Sequence, residues 1–233
     1  MSILAIEAAD AFYGKAQVLH DLSIAIERGE VISLVGRNGA GKTTTLRALC
    51  GLMRIAAGTL FVDGKDVTRL PPHRISRLGI NYVPETRRIF PNLSVEENLK
   101  IATFAHAPGV WTVARVLNLF PRLRERFDAP GDALSGGEQQ MLAIARGLLT
   151  SPKVILLDEP TEGLAPKVVE DLVKAVGVIK AEGTAVVLVE QNFTVPLALA
   201  SHQYVIDNGR IVWSGTTERL VAERADVEGL LGL

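Results

Sequence analysis

Apolar positions along the chain repeat with two different periods. Ile3 to Glu7 and Leu22 to Ile26 alternate apolar and polar residues, which predicts strands with one covered face. Val31 to Val35 is a short apolar run. A glycine-rich turn follows it at once, then a helix predicted from about Gly41 to Leu52. Leu60 to Val62 reads as a strand ended by the turn Asp63-Gly64, and Ile80 to Val83 as a short apolar strand. From about Glu85 to Leu149 the pattern turns helical. Ser94-Val95-Glu96-Glu97 is a capping pattern that opens a helix from Ser94 to Ala105; Trp111 to Phe120 and Gly136 to Thr150 follow. Strand and helix then alternate: Val154 to Leu157, Val168 to Ala181, Ala185 to Val189. Fully apolar strands between helices predict a parallel sheet covered on both faces. Tyr204 to Ile206 and Ile211 to Trp213 around Asn208-Gly209 read as a hairpin. The pattern predicts an α/β core with a helical insertion between its two halves.

Composition narrows the class. The chain has 233 residues, 48% hydrophobic and 22% charged, the balance of an ordinary globular protein. Its net charge of -1 argues against a nucleic-acid partner. The single cysteine, Cys50, has no partner for an internal disulfide and fits a reducing compartment; in its apolar helical stretch it reads as core packing. MSILAIEAAD has neither the positive region nor the apolar run of a signal peptide. No stretch approaches the roughly 20 apolar residues of a membrane span. Action at a membrane would thus be from its surface, through a partner.

Three motifs carry chemistry. Gly36-Arg37-Asn38-Gly39-Ala40-Gly41-Lys42-Thr43 has the spacing of a phosphate-binding loop, with Thr44 next in the candidate binding set. Its glycines let successive N–H groups face phosphate oxygens, and the helix that follows turns its positive end to the same point. Lys42 is placed for the β- and γ-phosphates and the Thr43 hydroxyl for Mg²⁺. Val154-Ile155-Leu156-Leu157-Asp158-Glu159 delivers two acids at a strand end, where α/β folds bind ligands. Asp158 suits Mg²⁺, and Glu159 suits orienting and polarising the attacking water. Taken alone, such a pair also describes a solvated turn. Leu134-Ser135-Gly136-Gly137-Glu138-Gln139-Gln140 combines an N-cap serine with two glycines at a helix N-terminus, a second anion site. Alone it equally describes a capped helix after a flexible turn.

Together these motifs resemble the ATP-binding-cassette (ABC) ATPases, in order and spacing, along nearly the whole chain. LSGGEQQ matches their signature. The resemblance implies an α/β fold of the phosphate-loop NTPase type, with an antiparallel β lobe and an inserted α-helical subdomain at about 86–150. All of it would lie in one ATP-binding domain spanning 1–233. It implies ATP and Mg²⁺ as ligands. Tyr13, in Phe12-Tyr13-Gly14, looks like the aromatic that stacks on adenine, a core tyrosine being the other reading. In the family two cassettes pair head to tail, so Ser135, Gly136 and Gly137 would contact the γ-phosphate held by the partner.

Three positions depart from the common pattern: Glu85 in Val83-Pro84-Glu85, Gln191 in place of the switch histidine, and Ala165 in place of an aspartate. With Glu85-Thr86-Arg87-Arg88-Ile89-Phe90, Gly163-Leu164-Ala165-Pro166 and Val189-Glu190-Gln191-Asn192 they resemble the LivF-type ATPases of branched-chain amino-acid importers. Urea and short-amide importers use similar subunits. The resemblance implies a peripheral subunit on the cytoplasmic face of the membrane, soluble when isolated. Its implied partners are a sister ATPase, two transmembrane permeases and, indirectly, an extracytoplasmic solute-binding protein. Glu159 and Gln191 become the catalytic pair, and Thr43, Asp158 and Glu85 the groups around Mg²⁺. Arg87, Arg88 and Phe90 would line the permease groove. An ABC ATPase acting outside transport and a non-hydrolysing assembly module are the competing readings. The single cassette argues against the first, and Lys42, Asp158 and Glu159 against the second.

Overall fold

The structure, a computed structural model, describes residues 2–104 and 109–230. Ala105, the expected end of one helix, and 231–233 lie outside them. Two sheets share the strands. β1 (Leu4–Tyr13), β2 (Ala16–Ile26), β4 (Ile55–Val62) and β5 (Lys65–Asp66) form an antiparallel sheet in the order β2-β1-β4-β5. The second sheet holds β3 (Val31–Val35), β6 (Ile80–Val83), β7 (Val154–Asp158), β8 (Ala185–Glu190), β9 (His202–Asp207) and β10 (Arg210–Thr216). Its order is β10-β9-β3-β8-β7-β6, parallel except for the β9–β10 hairpin.

The apolar strands are apolar because both faces are covered. Val154 and Leu156 of β7 pack with Val187 and Val189 of β8 into the core shared with the antiparallel sheet and α1 (Lys42–Leu49). Ile155, Leu157, Val186 and Leu188 point the other way. They meet residues of α3 (Val95–Phe104), α4 (Val113–Leu119), α6 (Gly136–Leu148) and α7 (Pro166–Ala181). Between β6 and β7 the regular elements are helical: α3, α4, α5 (Pro121–Glu125), a 3₁₀ turn and α6.

The first strands run longer than the alternation predicts. Ala8 and Asp21 adopt φ of 50° and 51°, and the β1 register shifts between Ile6 and Ala9. These irregularities break the period-two pattern without ending the pairing. Gly58 has φ 89°, and a Cβ there would stand 2.4 Å from the carbonyl oxygens of Glu7 and Ala8. Glycine is therefore required inside β4, and that is why the apolar pattern resolves only from Leu60. The helix expected from Trp111 begins at Val113, because Thr112 Oγ1 accepts the Arg115 N–H at 3.2 Å and caps it. Among short helices the periodicity missed α2 (Pro72–Arg77), α5, α8 (Thr194–Leu199), α9 (Thr217–Ala222) and α10 (Arg224–Leu230).

Candidate active site

The ends of β3, β7 and β8 lie side by side, in register Val35↔Glu190 and Asp158↔Val189. Residues far apart in the chain therefore share one corner. β3 runs into the loop 36–41, and α1 begins at Lys42 after Gly41, whose φ is 111°. A Cβ on Gly36 would stand 2.4 Å from the Ile206 carbonyl oxygen, and one on Gly209 2.2 Å from that of Val18. Only glycine lets these backbones meet. The Gly209 N–H donates to the Ala40 carbonyl at 2.8 Å, so the β9–β10 turn braces the loop from outside.

A cleft of about 590 Å³ opens beside the loop. Asn38, Gly39, Gly41, Lys42, Thr43 and Thr44 line it, with Tyr13, Glu85 and Glu159. Tyr13 is 47% exposed, which excludes a core role; its hydroxyl accepts from Arg47 Nη1 at 3.2 Å. Gly36 and Ala40 are buried beneath the loop, while Arg37 and Asn38 are exposed on it. The sequence did not assign His20, on β2, or Asn208, read only as a hairpin turn residue, to the cleft wall.

Lys42 is 3% exposed. Its Nζ donates to the carbonyls of Gly36 at 2.7 Å and Arg37 at 3.0 Å, and pairs with Glu159 Oε1 at 3.1 Å. Gln191 Nε2 donates to the other oxygen of Glu159. Glu159 itself has φ 44°, and its N–H donates to the Val189 carbonyl at 3.0 Å. The catalytic candidates Glu159 and Gln191 are thus in direct contact.

Asp158 is buried, and its two oxygens accept from Thr43 Oγ1 at 3.1 Å and from the Tyr82 hydroxyl at 2.7 Å. Burial pushes its carboxyl upward, and the two hydroxyls partly offset this. Burial, then the Asp158 carboxylate, pushes the Tyr82 hydroxyl up as well. A hydroxyl beside a carboxylate is a hard oxygen set of the kind Mg²⁺ takes, so these residues fit the ion. Tyr82 carried no sequence signal, since it meets Asp158 only across the β6–β7 pairing.

Ser135, Gly136 and Gly137 do not line this cleft. They begin α6, where Ser135 Oγ accepts the Glu138 N–H and Glu138 Oε2 accepts the Ser135 N–H at 2.8 Å. Arg87 donates to Gln140 at 3.3 Å and Gln139 at 3.2 Å, and Arg146 donates to the Arg88 carbonyl at 2.7 Å. The segment after Glu85 is thereby fastened to α6. A groove of about 460 Å³ runs beside it, lined by Leu52, Tyr82, Arg87, Arg88, Ile101 and Arg146 among others. Phe90, expected with Arg87 and Arg88 in a permease groove, is exposed. Left-handed φ values at Arg87 and Arg88 turn the chain, and the Phe90 ring packs 4.5 Å from the Arg146 guanidinium.

This architecture, with a phosphate loop, a paired-carboxylate strand end and a separately presented glycine-capped helix, is that of a phosphate-loop ATPase. Residues 19–162 match the ABC transporter family. The chain is 43% identical to the high-affinity branched-chain amino acid transport ATP-binding protein BraG of Pseudomonas aeruginosa, over 99% of this chain and 100% of that protein. It is 36% identical to the probable branched-chain amino acid transport ATP-binding protein LivF of Archaeoglobus fulgidus, over 91% of both chains. The fold superposes with a TM-score of 0.87 on the ATP-binding subunit of an ABC transporter, 26% identical and fully covered on both sides. The chain belongs to the ABC transporter family and is an ATP hydrolase.

Proposed function

We propose that this chain powers an importer of branched-chain amino acids. The observation that carries this reading is the end-to-end similarity to BraG, a transport ATP-binding protein for those solutes. In this reading Tyr13 stacks on adenine and the N–H groups of Gly36, Arg37, Asn38, Gly39, Ala40 and Gly41 cradle the phosphates. Lys42, with Thr43 and Thr44 beside it, meets the β- and γ-phosphates. Thr43 and Asp158 hold Mg²⁺, with Glu85 nearby. When bound, the ion offsets charge that builds on the phosphate oxygens.

Glu159 orients the water and weakens its O–H bond as its oxygen attacks the γ-phosphorus, while the bond to the leaving ADP oxygen breaks. Gln191 holds the carboxylate in the attacking orientation. Ser135, Gly136 and Gly137 meet the γ-phosphate bound to a partner cassette. That partner is a sister ATPase, and two permeases dock on the helical part at about 86–150, at the groove beside Arg87 and Arg88. A solute-binding protein delivers the cargo on the far side of the membrane. Among the described residues no helix is long and apolar enough to cross a membrane, which suits a subunit held by permeases.

The test is uptake of labelled leucine, isoleucine and valine by vesicles carrying the permeases, the sister ATPase and this chain. Uptake of all three should stop when Glu159→Gln replaces the wild-type chain. Retained uptake, or uptake of urea in place of the amino acids, would overturn the assignment.

A further inference from the structure

Glu190 ends β8 between Val189 and Gln191 and is 3% exposed. The mechanism above gives it no part. A carboxyl at this depth is costly unless hydrogen bonds or a charged partner offset its burial. Two contacts radiate from this residue, and a third from its neighbour. Its main-chain carbonyl accepts the N–H of Gly36, the first residue of the phosphate loop, at 3.4 Å. Its side-chain Oε1 accepts from Thr161 Oγ1 at 2.7 Å. Its neighbour Gln191 donates to Glu159.

Glu159 and Thr161 flank Pro160 in the segment that leaves β7. That segment is therefore tied to the end of β8 by the Glu159 N–H on the Val189 carbonyl, and by two side-chain bonds, Glu159–Gln191 and Thr161–Glu190. We propose that Glu190 is a positioning residue for hydrolysis, holding the segment that carries Glu159 in register with the phosphate loop through its bond to Thr161.

The environment makes this hold pH-dependent. Burial pushes the Glu190 carboxyl up to about 7, against the Thr161 hydroxyl and backbone, which favour its charged form. The charged groups facing it are Glu159 and Glu162, both on the same departing segment and both raising it further. On the phosphate-loop side, Lys42 is ion-paired with Glu159. Val35, its partner on β3, and Gly36, the first loop residue, carry no charge. Above about 7 the ionised carboxyl takes a charge-assisted bond from Thr161; below it the bond is between neutral groups and weaker. The segment carrying Glu159 is then held less firmly.

The test is kcat and KM for ATP of the full chain from about pH 6 to pH 8.5. Wild-type kcat should fall about three- to tenfold on the acid side of an inflection near 7, with KM for ATP unchanged. Glu190→Gln, a neutral isostere, should lose the inflection and run at the wild-type acid plateau throughout. Thr161→Val removes one bond to the charged form and should move the inflection to higher pH. An inflection that persists in Glu190→Gln, or fails to move in Thr161→Val, would overturn the proposal. A second readout is independent of turnover. Infrared difference spectra should show a protonated carboxylic acid at acid pH that vanishes through about 7 and is missing from Glu190→Gln. Absence of that band from the wild type would also overturn it. The inference rests on the role proposed for Glu159, and the two fail differently. Unimpaired hydrolysis in Glu159→Gln defeats that role, whereas an unchanged pH profile in Glu190→Gln defeats this one.

Discussion

Lys42 Nζ stands 3.1 Å from Glu159 Oε1, so the cation proposed for the phosphates and the carboxylate proposed for the water hold each other. Both are largely buried, with side-chain exposures of 3% and 9%. In the proposed mechanism a phosphate that takes Lys42 as its partner frees Glu159 for the water, so that binding and activation become one event.

Lys42→Ala should weaken binding of ATP about 10- to 100-fold, the loss expected when a charged donor to an anion is removed. Calorimetric titration with ATP checks this. Unchanged affinity would remove Lys42 from the phosphate site.

Glu159→Gln should keep ATP affinity and lower turnover about 10²- to 10⁴-fold, the range for a positioned base. Lys42 and Gln191 meet different oxygens of Glu159 and the amide keeps one of these acceptors, so the shape survives while the charge that polarises water is gone. ATP-bound dimers should accumulate in size-exclusion chromatography with ATP.

Gln191 cannot become cationic, so it contributes one amide donor where a histidine offers a charge. The isolated chain should hydrolyse ATP slowly, and the sister ATPase should raise its turnover. Gln191→Ala should lower the rate about 5- to 150-fold by releasing Glu159. Fast hydrolysis by the chain alone, unaltered by the sister subunit, would show that no such pairing is needed.

Glu190 also affects stability. Its folded carboxyl titrates at about 7 against an ordinary 4.5, so the folded chain binds more protons than the unfolded between those values. Its contribution is whole below about 4.5 and is lost as pH rises through 7, on the order of 3 kcal/mol. Glu190→Gln lacks this penalty. Its Tm should exceed the wild-type value by about 5–10 °C at pH 8 and match it near pH 4.5. Thermal melts at both pH values decide; a difference of the same size at each would assign the effect to packing.

Ile101 and Leu52 are exposed apolar residues in the groove beside Arg87 and Arg88. Ile101→Glu should leave hydrolysis by the isolated chain within about twofold and reduce co-purification with the permeases, because a charge replaces apolar contact area. Undiminished co-purification would place the permease elsewhere.

The sequence by itself determined what is contiguous. The phosphate loop, the capping box of α6 and the acids ending β7 are each set by residues a few positions apart, whose backbone geometry depends on glycines and local hydrogen bonds. The alternation of apolar strands and helices carried the parallel sheet, because burial on both faces leaves β7 and β8 apolar up to their last residues, Asp158 and Glu190. The pairings that join these pieces depend on strand order, which no local pattern encodes. Tyr82 reaches Asp158 only because β6 lies beside β7, and Glu190 reaches Thr161 only because β8 lies beside β7 in parallel register. The depth that raises the Glu190 carboxyl likewise comes from the sheet and helices packed around it. Its residue type was legible in the chain, but its burial and its neighbours were decided by the tertiary structure alone.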